Sequence, residues 1–189
     1  MNVRGIAFCA LCVLQLAAAA SGIARYERVL ASGQAVLLAV APVDPYDPFR
    51  GRYVTLSFAL EQGAHPVKGK VPQYGEPAYV VLKTDAKKVA SVDYLTASPP
   101  DSGLWLKAES SWPESETTAR VSLPMKRYYM NEALAPAAEQ AYREAVARDA
   151  ERAGDDSYAR VRILNGAVVI EQVLLDGVPI ERAAQSYKD

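Results

Sequence analysis

The chain has 189 residues, of which 50% are hydrophobic and 23% charged, with a formal net charge of −1. This is globular composition rather than disorder, and it offers no basic excess to neutralise phosphates, so nucleic acid is not an expected partner. The 2 cysteines, Cys9 and Cys12, fall in the first apolar segment and the only histidine is His65. Disulfides, cysteine chemistry and multi-histidine metal sites are therefore excluded from the region beyond that segment.

The stretch from Gly5 to Ala24 carries no charge, and its length matches the ~20 residues a helix needs to cross a bilayer. Two readings compete. Arg4, the apolar run Ile6 to Leu16 and Ala18-Ala19-Ala20 describe a signal peptide cleaved near Ala20. Alternatively the segment is a retained anchor, and RYERVLASG continues the helix to a glycine stop at Gly33. Either way, the remainder is expected to be exported.

QAVLLAVAPV, residues 34 to 43, reads as a first buried strand. Two Asp-Pro pairs follow, at Asp44 and Asp47. From Tyr53 to Leu60 the sequence alternates, with Val54, Leu56, Phe58 and Leu60 on one face, which predicts a single strand. The Gly/Pro-rich stretch around His65 predicts a loop. AYVVLK and ASVDYLTA predict a hairpin across TDAKK, and GLWLKAESSW with TTARVSLP predicts a second pair joined by PESE.

Residues 135 to 154 carry the one strong helix pattern outside the first segment. Pro136 suits its first turn and Gly154 its end. Tyr142, Val146 and the alanines form a thin apolar stripe able to dock on a sheet. Glu139 with Arg143, and Glu144 with Arg148, are spaced for i,i+4 pairing. In the closing segment, Asn165-Gly166 predicts a type I′ hairpin. That register sets Val161 against Ile170 and Ile163 against Val168, with Arg160 across from Glu171 as an ion pair.

The expected fold is mainly β (α+β): an antiparallel sandwich or open barrel of about eight strands with one helix in the C-terminal half. A transmembrane helix precedes it. Residues 1–33 form the anchor and juxtamembrane helix, and residues 34–189 the exported β-rich domain.

No P-loop, GxGxxG, HExxH or GxSxG occurs, and each of these motifs has a mechanical reason to be local. No cofactor, metal or catalytic set is nominated. Asp44 and Asp47 read as turn residues rather than acid/base groups, because Asp at position i and Pro at i+1 start a turn. His65 reads as structural. Tyr128-Tyr129 is a doublet whose alternation sends one ring inward and one outward. Both are candidate partner-contact residues, since tyrosine supplies contact area and a hydroxyl at low entropic cost.

GRYVTLSF resembles the motif of the bacterial family named for GDYXXLXY. Gly51, Tyr53 and Leu56 match its Gly, Tyr and Leu, Arg52 stands at its Asp, and Phe58 at its final Tyr. RYERVLASGQAVLLAVAPVDPYDPF, LPMKRYYMNE and ARVRILNGAVVIEQVLLDG resemble the family's flanking segments. The resemblance implies a single-pass protein of the bacterial inner membrane with a periplasmic C-terminal domain, accompanying a multi-pass membrane protein. It carries no catalytic residue. The loss of the motif's carboxylate at Arg52 and of its hydroxyl at Phe58 points to architecture rather than chemistry.

The expected function is a membrane-anchored binding or accessory module for a membrane-protein partner, with residues 5–24 in the bilayer. The alternative is a membrane-surface hydrolase using a Ser/Lys pair or carboxylates, which no spacing nominates.

Overall fold

The computed structural model describes residues 3–41, 53–152 and 156–187. Asp44, Asp47, Gly51 and Arg52 lie outside the described residues, as does Gly154. Helix α1 (Val3–Ser32) is continuous from the apolar segment through RYERVL. It stops at Gly33, whose N–H donates to the Val29 carbonyl at 2.8 Å. Along most of its length α1 is exposed, and Val29 is its buried residue, because only the C-terminal turns lie against the body of the protein.

Twelve strands follow among the described residues. They are β1 (Gln34–Ala41), β2 (Tyr53–Thr55), β3 (Ser57–Phe58), β4 (His65–Pro66), β5 (Pro77–Thr84), β6 (Ala90–Thr96), β7 (Trp105–Pro113), β8 (Thr118–Ser122), β9 (Arg127–Tyr129), β10 (Tyr158–Leu164), β11 (Ala167–Leu175) and β12 (Val178–Pro179). One sheet runs β12-β11-β10-β1-β3, a second runs β4-β8-β7-β5-β6, and β2 and β9 form a two-stranded ribbon. All named pairings are antiparallel. Bridges from Leu37 to Val89 and from Leu106 to Gly166 link the two large sheets. The result is a nearly closed, barrel-like β structure with helices, in agreement with the expected class.

The interior follows from period-2 alternation. Val36, Leu38 and Val40 of β1, Ala78 and Val80 of β5, and Ala159, Val161 and Ile163 of β10 all point into one core. Helix α2 (Ala135–Arg152) adds Ala138, Ala141, Tyr142, Ala145 and Val146, the stripe expected from its spacing. A short helix α3 (Ile180–Gln185) that sequence reading missed packs on α2 and contributes Ile180 and Ala184.

Four expectations need correction. The run from Tyr53 to Leu60 is not one strand. Its first part pairs with β9 and its second with β1, and the chain crosses between partners at Leu56, whose N–H donates to the Lys126 carbonyl at 2.9 Å. A 3₁₀ turn, Ala59–Glu61, then ends it. The loop around His65 contains β4, held by β8.

The third correction concerns the closing hairpin. Val161 faces Ile170 and Ile163 faces Val168 as expected, but a bulge shifts the register between Arg160 and Val161. Arg160 therefore lies opposite Gln172, and Glu171 is the extra residue on β11. Its carboxylate pairs instead with Arg162, at 2.7 Å. This contact holds Glu171 below the ordinary carboxylate value.

Fourth, Arg148 is not the direct ion-pair partner of Glu144. Its guanidinium reaches Asp176 at 2.7 Å, and Glu144 accepts from the Tyr187 hydroxyl at 2.6 Å and from Gln140 at 3.1 Å.

Candidate functional site

The described part of the family-like motif sits where the ribbon meets the barrel. Val54, Leu56 and Phe58 are buried, each at most 1% exposed. Burying side chains of this size stabilises by roughly 1.5–3 kcal/mol each, so the alternation of TLSF is a packing device. Tyr53 and Thr55, on the other face of β2, are half-buried. Phe58 is wholly enclosed, and a tyrosine there would have to satisfy its hydroxyl inside the core.

Glu61 ties this corner to the rest. One carboxylate oxygen accepts from the Leu123 N–H at 2.7 Å and lies 3.4 Å from the Lys126 ammonium, while the other accepts from the Phe58 N–H at 3.3 Å. Its side chain is only 11% exposed, and these partners account for a carboxylate at that depth. His65 is also structural. Its Nε2 donates to the Leu60 carbonyl at 2.6 Å.

The ribbon presents the tyrosine doublet. Tyr128 is half-buried against the core, and its hydroxyl donates to Glu181 of α3 at 2.5 Å. Burial, reinforced by that carboxylate, pushes the Tyr128 hydroxyl well above its ordinary value. Tyr129 points outward and is 67% exposed. One ring in and one ring out is the arrangement expected from alternation.

Tyr129 does not stand alone. Its ring meets that of its cross-strand neighbour Tyr53 edge-on, with centroids 5.7 Å apart. The Arg127 guanidinium lies 4.9 Å from the Tyr53 ring centroid, within cation–π range. A hydrogen bond with Tyr129 raises the Arg127 pKa further. Behind this cluster lies a groove of about 200 Å³ lined by Tyr26 of α1, Met125, Arg127, Tyr129 and residues 168–170 of β11.

Tyr26, 51% exposed, is the member that sequence reading did not nominate. Its signal was its place two residues beyond the uncharged segment. At 1.5 Å of rise per residue, that is about 3 Å past Ala24 along the helix. The groove therefore opens beside the end of the apolar helix. Its chemistry is that of contact: aromatic faces, a thioether, β-branched side chains and one fixed guanidinium. The serine hydroxyls of Ser21 and Ser110 bond backbone carbonyls, and Ser115 bonds threonines, so none of these is set against a lysine.

The N-terminal helix is apolar and long enough to cross a membrane, as either an anchor or a signal sequence would be. Comparison with curated proteins gives no match, and neither does comparison with solved structures. The buried motif residues Leu56 and Phe58, the tyrosine ribbon and all but the last two residues of the closing hairpin fall within the reach of one family model, that of the GDYXXLXY protein, which matches residues 15–173. The chain belongs to the GDYXXLXY family.

Proposed function

We propose that this protein is a retained, single-pass component of the bacterial inner membrane whose periplasmic domain binds a multi-pass membrane protein through the Tyr26–Tyr129 groove. One observation carries the reading: exposed rings from the apolar helix and from the β2–β9 ribbon line the same groove, beside the point where the helix would leave the bilayer. Tyrosine is enriched at both membrane interfaces and in recognition surfaces, because one end of the ring is apolar and the other wet. Helix and barrel are also joined without a linker, Ser32 ending α1 and Gln34 beginning β1. The groove thus keeps a fixed height above the membrane, as a partner whose own contact surface sits at the bilayer requires.

The test is photocrosslinking in intact membranes, with p-benzoylphenylalanine at position 129 and, as control, at the exposed loop residue Tyr74. The expected result is a discrete adduct with an integral membrane protein from position 129 alone. Equal labelling from both positions, or adducts with lipid only, would sink the reading. Two further measurements address the anchor. The mature chain should keep the full 20.4 kDa mass rather than lose about twenty residues, and a C-terminal alkaline phosphatase fusion should be active.

A further inference from the structure

Asp149, Asp156 and Asp176 come from three separate parts of the chain. Asp149 is in the last turns of α2, Asp156 precedes β10, and Asp176 is in the turn between β11 and β12. One carboxylate oxygen from each lies within 4.8 Å of the other two. Asp156 and Asp176 are exposed, but Asp149 is only 7% exposed and its Oδ1 is buried with no hydrogen-bond partner. A buried carboxylate oxygen without a donor is rare in folded proteins and calls for an explanation. The next residue after Asp156, Ser157, is 1% exposed and its hydroxyl oxygen is likewise unpartnered.

We propose that these three aspartates form a calcium site. The donors are all hard oxygens, with no histidine or thiolate among them, which suits calcium better than a softer transition metal. Calcium takes oxygen ligands at about 2.3–2.6 Å, so ligands on opposite sides of the ion stand roughly 4.6–5.2 Å apart. Magnesium demands near-ideal octahedral geometry at about 2.0–2.1 Å and keeps several waters, so a set of protein carboxylates suits it less well.

Position favours a cation as well. Asp149 stands near the C-terminal end of α2, where helix carbonyls concentrate partial negative charge. Arg148 pairs with Asp176 through Oδ2 and offsets one of the three carboxylates. Asp176 is in the left-handed region, with φ of 50°, and its turn is the point at which β11 reverses beneath α2 and α3. A bound ion would pin α2, β10 and the β11–β12 turn together.

The test uses the full-length chain in detergent, freed of metal with EDTA and titrated calorimetrically with calcium chloride and, separately, magnesium chloride. The expected result is one calcium per chain with a dissociation constant on the order of 10⁻⁵–10⁻³ M, the range that spans sensors and extracellular modules. Calcium at a hundredfold excess over that constant should raise the Tm by roughly 5–10 °C. Asp156→Asn alters an exposed residue and should keep the fold. It should weaken calcium binding at least tenfold. In EDTA it should melt at or above the parent, since one repelling charge is gone, and in calcium below it. A residue of merely structural importance would not invert in that way. Absence of calcium heat and of any Tm change at 10 mM calcium, or undiminished binding by Asp156→Asn, overturns the site. Equal affinity for magnesium overturns its assignment to calcium.

Discussion

The Tyr142 hydroxyl donates to the carbonyl of Ala41 at 2.7 Å, across 101 positions of sequence. It also accepts from the Ser57 N–H at 3.4 Å, so one phenol joins α2 to the end of β1 and the start of β3. The ring itself is 2% exposed. Tyr142→Phe keeps the packing and strands the buried Ala41 carbonyl, a change that costs about 1–3 kcal/mol. A urea melt at neutral pH should show the midpoint falling with little change in slope. An unchanged midpoint would mean that the carbonyl finds another partner.

The same phenol should also set an alkaline limit. Burial raises both the Tyr142 and the Tyr128 hydroxyl above the ordinary value of 10. A group whose folded pKa is raised contributes stability that is fully present below its unfolded pKa and lost as pH rises through the folded one. Stability should therefore be flat up to about pH 9.5 and fall beyond 10. Tyr142→Phe, although less stable at neutral pH, should show a shallower alkaline decline. Parallel pH curves for parent and variant would contradict the assignment.

The motif positions make a third case. Leu56 and Phe58 are 1% and 0% exposed and belong to the main core cluster. Truncation of buried Leu or Phe to Ala costs about 2–5 kcal/mol, so both variants should melt early. Phe58→Tyr restores the ring type named in the family motif but places a hydroxyl in a closed core. It should be destabilised by about 1–3 kcal/mol, unless it reaches a polar partner. Melting at the parent's temperature would show that the site has kept room for a hydroxyl.

What was legible in the sequence was whatever repeats locally. Alternation marked Val54, Leu56 and Phe58 as interior, helical spacing marked Tyr142 and Val146, and Asn165-Gly166 set the near end of the closing hairpin, where both residues have positive φ, 47° and 77°. What was not legible depended on partners far along the chain. A strand's own residues do not show that its two halves pair with different neighbours, as they do on either side of Leu56. The bulge at Glu171 leaves the alternation of β10 intact, with Ala159, Val161 and Ile163 inward, but moves the inward set of β11 from Val168 and Ile170 to Val173 and Leu175, which the Asn165-Gly166 register alone does not show. Tyr26 joined the tyrosine doublet, and Asp149 met Asp156 and Asp176, only through the fold.

The hairpin tip gives a sharper test than its register. Gly166 has its carbonyl bonded to the Lys107 N–H at 2.9 Å and lies directly against the ring of Trp105. A Cβ built there would stand 2.0 Å from the Trp105 ring. With φ of 77°, an alanine would also be strained by its backbone. Gly166→Ala should therefore cost more than the roughly 1–2 kcal/mol of a Cβ in the left-handed region alone, and should free the Trp105 ring. A fall in Tm with a red shift of tryptophan emission is the expected result. Gly166→Ala combined with Trp105→Leu should recover part of the loss, because the clash is with that ring.

Gly33 poses the same problem where the apolar helix meets the barrel. A Cβ there would lie 2.4 Å from the Val29 carbonyl oxygen and 3.1 Å from both the Arg162 Cβ and the Ile163 nitrogen. Two of those three atoms are backbone, so no side chain can swing aside to make room. The residue is also bonded on both sides: its N–H donates to Val29, and its carbonyl accepts from the Arg162 Nη1 at 3.3 Å. Arg162 is at the same time the partner of Glu171, so the helix end, β10 and the bulge on β11 share one guanidinium. Gly33→Ala must push α1 away from the β10–β11 hairpin, at a cost of about 1–3 kcal/mol for overpacking. Hydrogen exchange should then quicken across residues 29 to 36, and the Tm should fall. Arg162→Lys, which keeps the charge but loses the planar fork, should quicken exchange at the same segment to a smaller degree. If Gly33→Ala leaves both exchange and Tm unchanged, the helix is not seated on the barrel as described, and the fixed height of the Tyr26–Tyr129 groove goes with it.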